Sequence, residues 1–321
     1  MDSVAATAGN RLSQSPGKKV MASRMVVIIN ASSGAGDKEA AASRIVEVFR
    51  SNGVDARVEM ARGGVDIGEL ARRAAREETE IVVAGGGDGT ISAVASALAG
   101  MDKVMGVLPL GTLNHFAKDL SIPLDLAEAA RVCMDGKVAR VDVGEVNGHV
   151  FINNSSLGLY PSIVRLRDRQ RARLGLSKWL AFIWATLSVM RRYPFMSVRL
   201  STDDTNLFRR TPFVFVGNNE YQMEGLSLGA RSCIDKGELS LHVAHRTGRL
   251  GLLRFAVRAL FGGLRNEKDF DSLCTKEIWV ETRRSRLRVA MDGEVTIMHT
   301  PLHYRVRPGA LRVLVPKEGD K

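Results

Sequence analysis

The sequence predicts an α/β N-terminal domain, built on a parallel, helix-covered sheet, followed by a β-rich, sandwich-like second domain. Three observations carry the prediction. At 321 residues the chain exceeds one average domain, so two compact units are expected. From Met25 to about Val141, short β-branched runs alternate with Ala-rich stretches decorated by Arg and Glu, the rhythm of strand-helix-strand units. Beyond Val141, strand patterns dominate.

Element by element, residues 25–30 (MVVIIN) read as a buried strand. A helix is predicted over 37–50, with Ile45, Val46 and Phe49 on its apolar face, then a strand over 56–60 and a helix over 67–76. The third strand covers 81–84, the next helix 91–98 and the fourth strand 104–108, which runs into a loop at Pro109, Leu110 and Gly111. In the second half, strands are predicted at 150–153, 196–200, 212–216, 239–243 and 277–281, interrupted by apolar helical patterns at 178–190 and 250–264. Residues 1–24 are polar and lack a continuous apolar run, so they read as an unstructured leader. The longest apolar run, 179–190, is bounded by Lys178, Arg191 and Arg192 and falls short of the ~20 residues a spanning helix needs, so it reads as a buried or interfacial helix.

A composition of 45% hydrophobic and 25% charged residues excludes a mainly disordered chain. Charge is spread unevenly. Residues 1–160 carry 17 Lys and Arg against 19 Asp and Glu, whereas 161–321 carry 29 against 16, a balance of +13 in the second half. That asymmetry suits a polyanion: a nucleic acid, an anionic membrane surface or a phosphorylated substrate. Arg165, Arg167, Arg169, Arg171 and Arg173 form a dense basic stretch that suits membrane phosphates or a solvated face. Aromatic residues at 6% and the absence of a base-reading motif disfavour nucleic acid. Cys133, Cys233 and Cys274 are too scattered for a disulfide framework or a zinc site, and a reducing cytosol is the expected compartment. The six histidines have no metal spacing and read as structural.

The sharpest local signal is Gly85, Gly86, Gly87, Asp88, Gly89 and Thr90, between the strand IVVA and an apolar helix start. Glycines there let the backbone turn tightly and present N–H groups to an anion, which the helix dipole favours. A carboxylate beside polyphosphate calls for a cation between them, so Asp88 is a candidate partner for Mg²⁺, directly or through water or phosphate. A second polar turn, from Leu110 to His115, follows the fourth strand, and a third, NASSGAG from Asn30 to Gly36, ends the first. All three lie on the carboxyl rim, where open α/β sheets bind ligands, and together they predict a nucleotide cleft. Late in the chain, RLRVAMDGE ends in Asp292, Gly293 and Glu294. An Asp-Gly pair is an ordinary hairpin signal, with a chemical role only if it faces the cleft.

Asn30–Gly34, Gly86–Thr90, Gly111–Asn114 and Asp292–Glu294, with GTLNHFAKDL and NNSSLGLYP, resemble the diacylglycerol kinase catalytic-domain family, which includes soluble bacterial lipid kinases and is related to sphingosine and ceramide kinases. GGDGT alone is shared with NAD kinases. The resemblance implies that Asn30, Ala31, Ser32, Ser33 and Gly34 line the nucleotide site, that Gly86, Gly87, Asp88, Gly89 and Thr90 hold the phosphates, and that Thr112 and Asn114 contact the nucleotide from the neighbouring turn. It implies Asp292 as general base, assisted by Glu294, which strand alternation would point the same way.

The sequence departs from the family pattern at Ala31, where Pro is usual, at Ala61, where Thr is frequent, and at His115, where many relatives have Asp. It departs most at Lys236, which stands where relatives that bind a structural Mg²⁺ have Asp. An ammonium cannot ligate Mg²⁺.

The resulting expectation is a two-domain lipid kinase: a leader (1–24), a nucleotide domain (25–143, completed by returning strands near 304–316) and a lipid-substrate domain (144–303). It would transfer the γ-phosphoryl group of ATP, with Mg²⁺, to a lipid hydroxyl at an anionic membrane surface, in the cytoplasm and peripherally membrane-associated. An NAD kinase-like enzyme and a non-catalytic lipid-binding module are the alternatives. The oligomeric state stays open, a homodimer included.

Overall fold

The computed structural model describes residues 25–30, 38–61, 64–158, 195–202, 205–224, 227–231, 234–244 and 270–317. The expected leader, Ala31, Ser32, Ser33 and Gly34, the Arg165–Arg173 stretch and the apolar patterns at 178–190 and 250–264 lie outside them.

The first part alternates as its periodicity requires: β1 (Met25–Asn30), α1 (Lys38–Ser51), β2 (Ala56–Ala61), α2 (Gly64–Arg76), β3 (Ile81–Gly86), α3 (Asp88–Leu98), β4 (Val104–Pro109), α4 (His115–Asp119) and α5 (Leu126–Asp135). The strands pair in parallel in the order β2-β1-β3-β4. Val26, Val27, Ile28 and Ile29 are all fully buried, because a central parallel strand is covered on both faces and therefore reads as an unbroken apolar run. α3 packs Ile91, Val94, Ala95 and Leu98 into the same core, and α5 starts on Asp125, whose carboxylate accepts from the N–H groups of Ala127 and Glu128.

Strands then take over: β5 (Lys137–Val146), β6 (His149–Phe151), β7 (Asn154–Gly158), β8 (Met196–Ser201), β9 (Asn206–Thr211), β10 (Phe213–Asn218), β11 (Tyr221–Glu224), β12 (Ser227–Arg231), β13 (Leu239–Ala244), β14 (Phe270–Thr275), β15 (Glu277–Thr282), β16 (Arg286–Met291), β17 (Glu294–His299) and β18 (Leu302–Val315). Among the described residues, β14-β13-β10-β7-β16-β17 form an antiparallel sheet. It packs on β8, β15 and the first half of β18 through Leu157, Val214, Val216, Leu241, Val289, Ile278, Val280 and Tyr304.

The 14-residue β18 belongs to both cores. Leu302, Tyr304 and Val306 sit in the sandwich core, while Leu311, Val313 and Val315 sit in the α/β core beside β4. The strand shifts register against β5 between Arg307 and Leu311. At that shift Gly309 has φ +57°, and its N–H donates to buried Asp142 at 2.8 Å. Residue 143 lies within β5, so a continuous strand joins the two regions there.

Two local expectations change. Helix α3 begins at Asp88 rather than at residue 91, and β3 continues to Gly86, so the glycine-rich turn shrinks to Gly87. The strand predicted over 150–153 ends at Phe151, because the N–H groups of Ile152 and Asn153 are turned onto a carboxylate and leave the sheet ladder.

Candidate active site

Gly87 is the N-cap of α3, in extended conformation, and no side chain caps that end. The first N–H groups of a helix have no intrahelical acceptor, so a bare cap leaves them facing outward with the positive end of the dipole. The neighbouring glycines allow close approach of backbone. A Cβ on Gly86 would stand 2.4 Å from Thr90 Oγ1, and one on Gly111 would stand 2.5 Å from the Cα of Gly87. The two loops therefore touch main chain to main chain, and the Leu110 N–H donates to the Gly86 carbonyl at 3.0 Å.

The described residues of the polar segments, Asn30, Gly86–Thr90 and Leu110–His115, converge here. Asn30, at the end of β1, donates its side-chain amide to Thr90 Oγ1 at 3.3 Å. Each oxygen of Asp88 accepts one backbone N–H from the 110–115 loop: Asn114 at 3.1 Å and His115 at 2.8 Å. Asn114 has φ +51° and is 4% exposed. Its side chain accepts the Gly111 N–H at 3.1 Å and donates to the Gly111 carbonyl at 3.0 Å, so it braces its own loop. Thr112 is exposed beside it.

The late hairpin reaches α3 from the other region. Asp292 and Gly293 form a two-residue turn with φ of +46° and +89°, the mirror-image type that suits twisted antiparallel strands, closed by the Met291–Glu294 pair. The Asp292 N–H donates to the Asn154 carbonyl at 2.9 Å. Its carboxylate faces inward and accepts four hydrogen bonds: Ser92 Oγ at 2.6 Å and the Ile152 N–H at 2.9 Å on Oδ2, the Asn153 N–H at 2.8 Å and the Asn154 N–H at 3.1 Å on Oδ1. Four donors fill the accepting capacity of a carboxylate. Burial raises its pKa above the ordinary carboxylate value, and the four hydrogen bonds oppose that rise without cancelling it.

Strand alternation does not relate Asp292 to Glu294, because Asp292 occupies a left-handed turn and Glu294 opens β17. Glu294 is exposed, and its Oε1 still lies beside Gly89: a Cβ built there would be 3.7 Å away. Two features escape the sequence reading. Ser92 had a usable signal, since it follows Asp88 by four residues on one helix face. The bend at Ile152–Asn154 acts through main-chain donors, which no side chain announces.

The largest departure, Lys236, and two of the histidines are also placed. Lys236 Nζ donates to Glu220 at 2.6 Å, which holds that carboxyl below its usual range. His242 is buried against Ser272, and His303 stacks on Trp279 at 3.9 Å. Among the described residues, no three His, Cys, Asp or Glu side chains gather as a ready metal site, and no helix is long and apolar enough to cross a membrane.

Residues 24–146 match the family model of the diacylglycerol kinase catalytic domain, and residues 158–315 match the YegS C-terminal NAD kinase β-sandwich-like domain. A diacylglycerol kinase of Bacillus subtilis (strain 168) is 27% identical over 301 residues, covering 92% of this chain and 97% of that protein. A protein of Yersinia pestis (strain Pestoides F) named "Probable lipid kinase YegS-like" is 27% identical over 278 residues, covering 84% and 90%. The crystal structure of a diacylglycerol kinase from Bacillus anthracis str. Sterne has the same fold, with a TM-score of 0.66 at 21% identity over 91% of this chain and 97% of that one.

Proposed function

The chain belongs to the diacylglycerol kinase and YegS-like family of lipid kinases, and from that premise we propose that it transfers the γ-phosphoryl group of ATP to a lipid hydroxyl at a membrane surface. One observation carries the reading. A buried carboxylate with a raised pKa, Asp292, is docked on α3 one helical turn from Asp88, at the helix end where phosphates would bind.

In this reading the open N–H groups at the start of α3 and the backbone of Gly86–Gly89 hold the ATP phosphates, with Asn30 and Thr90 fixing the wall. The acceptor hydroxyl approaches Asp292 and takes the place of the Ser92 hydroxyl on Oδ2. As its oxygen bonds to the γ-phosphorus and the bond to the ADP oxygen breaks, its proton passes to Asp292. Phosphoryl transfer needs positioning and charge neutralisation above all, and a base contributes typically ~10²–10⁴-fold. A carboxyl whose pKa is raised by burial is the stronger base for it. Mg²⁺ fits the donors present: each Asp88 oxygen keeps one lone pair after its N–H contact, and Glu294 adds a hard oxygen ligand nearby. Bound there with phosphate oxygens, Mg²⁺ would supply neutralisation of the triphosphate charge.

The decisive experiment incubates the chain with labelled ATP and vesicles carrying diacylglycerol, monoacylglycerol, sphingoid base or ceramide, and separates the lipid products. Phospholipid product lost in Asp292→Asn supports the reading. The saturated carboxylate favours a second reading, a non-catalytic lipid-binding module, which the absence of product with intact ATP and lipid binding would support.

A further inference from the structure

Alternation along β10 calls for an apolar residue at its last position. Val214 and Val216 turn into the sandwich core, and Asn218 follows on the same face. It is fully buried. A buried amide is costly unless its protons are paired, and here Nδ2 donates to the Ile152 carbonyl at 3.0 Å and to the Asp142 carbonyl at 2.8 Å. Carbonyls only accept, so these two contacts fix which end of the amide faces them. The Asn218 main-chain N–H donates in turn to the Asn153 carbonyl at 2.9 Å.

The Ile152 and Asn153 carbonyls belong to the peptide groups that hold Asp292. In peptide 152–153 the carbonyl accepts from the Asn218 side chain, and the Asn153 N–H donates to Asp292 Oδ1 at 2.8 Å. Peptide 153–154 is held the same way: its carbonyl accepts from the Asn218 main chain, and the Asn154 N–H donates to the same oxygen at 3.1 Å. A peptide group is planar, with C=O and N–H on opposite sides, so bonding it at both ends stops the plane from swinging. Accepting at the carbonyl also polarises the group and strengthens its N–H as a donor. The other Nδ2 proton anchors the arrangement on β5. Asp142, whose carbonyl it meets, is buried, and its carboxylate accepts the N–H groups of Gly237 at 2.6 Å and Gly309 at 2.8 Å, so the anchor lies where β18 changes register.

We propose that Asn218 is a positioning residue for Asp292: by fixing peptide groups 152–153 and 153–154 it fixes Oδ1, and so aims Oδ2, the oxygen that meets the acceptor hydroxyl. The effect on turnover rests on the lipid-kinase reading, whereas the effect on the two peptide groups does not. The two oxygens are built differently. Oδ1 has two main-chain donors, both in peptides that Asn218 supports, while Oδ2 has one main-chain donor and the Ser92 hydroxyl. A hydroxyl can turn away and a peptide held at both ends cannot, so the rigid side of the carboxylate is the one Asn218 braces.

The test compares the full chain with Asn218→Ala, with Asn218→Asp, which keeps the shape and offers at most one proton to the two carbonyls, and with Val216→Ala, which opens a cavity in the same strand. Each is assayed for turnover of a water-soluble short-chain diacylglycerol with ATP, and its amide protons are followed by NMR. Misplacing a reacting group by about 1 Å can cost ~10²-fold, so kcat should fall by ~10–10²-fold in Asn218→Ala. The fall should be smaller in Asn218→Asp, and KM for ATP should stay unchanged in both. Val216→Ala should lower the thermal midpoint and leave kcat as it was. In Asn218→Ala the Asn153 N–H resonance should move upfield and exchange faster, more so than that of Asn154, whose peptide keeps its main-chain bond. In the unaltered chain the Asn218 side-chain protons should exchange slowly, which tests the bonds even where Asn218→Ala does not fold. On an Asp292→Asn background, Asn218→Ala should cost no further kcat. An equal kcat loss in Val216→Ala, a further loss on top of Asp292→Asn, a raised KM for ATP with kcat preserved, an unmoved Asn153 resonance or rapid exchange of the Asn218 amide would each overturn the proposal. Absent turnover in every chain, with the Asn153 shift and the slow exchange present, defeats the kinase reading alone. Full turnover in Asn218→Ala defeats the positioning role alone.

Discussion

Ser92 and Asp292 are separated by 200 residues, and the Ser92 hydroxyl donates to the Asp292 carboxylate at 2.6 Å. This bond joins the first helix turns after the glycine run to the last hairpin, and so links the α/β core to the sandwich at the point where the chemistry is proposed.

Removing that donor should move a titration. The Ser92 hydroxyl favours the charged form of Asp292 and opposes the rise caused by burial. In Ser92→Ala the Asp292 pKa therefore rises further, and since the base works deprotonated, activity falls more at low pH than at high pH. The acid limb of kcat/KM should therefore move to higher pH. An acid limb that stays put while kcat drops uniformly would mean that Ser92 acts by packing alone.

Asp292→Asn should affect both catalysis and stability. The left-handed turn tolerates Asn, so the backbone is not the source. The new amide N–H₂ must face either the two N–H donors of Asn153 and Asn154 or the N–H of Ile152, where the Ser92 hydroxyl can turn to accept, and the lost main-chain pairing costs about 1–3 kcal/mol. We expect a fall in kcat of ~10²–10⁴-fold, little change in KM for ATP, and a lower thermal midpoint. A large rise in KM with kcat preserved would move Asp292 into nucleotide binding.

Gly111→Ala should break the contact between the two glycine loops, since its Cβ would lie 2.5 Å from the Cα of Gly87 and neither main chain can rotate away. ATP affinity, measured by calorimetry, should drop by an order of magnitude or more, at about 1.4 kcal/mol per tenfold. Gly68→Ala provides the contrast. In α2 its Cβ meets only the flexible end of Arg72 at 3.4 Å, so this change should stabilise the fold by about 0.5–1 kcal/mol and leave ATP affinity unchanged.

The thiols should separate by accessibility. Cys133 is fully buried against β4 and its pKa is pushed up to about 12, so it carries almost no thiolate at neutral pH. Cys274 is exposed on β14. Peptide mapping after brief alkylation at pH 7.5 should find Cys274 modified and Cys133 untouched until denaturant is added. Modification of Cys133 in the native protein would show that the α/β core opens locally.

The sequence by itself determined the strand-helix alternation of the first part, because burial of a central strand and of one helix face leaves a local pattern that can be read without knowing the neighbours: Val26–Ile29 and Ile91–Leu98 are cases. It also located the ends of β1, β3 and β4 on one rim, since parallel strands put their carboxyl ends on the same side. Tertiary structure decided the rest. That Asp292 meets Ser92 depends on β7 pairing with β16, and its inward carboxylate depends on the 152–154 bend, whose main-chain N–H groups have no residue-type signature. That β18 serves two cores depends on a register shift at Gly309. Such features are set by pairings between distant segments, and pairing energy belongs to the assembled sheet rather than to either strand.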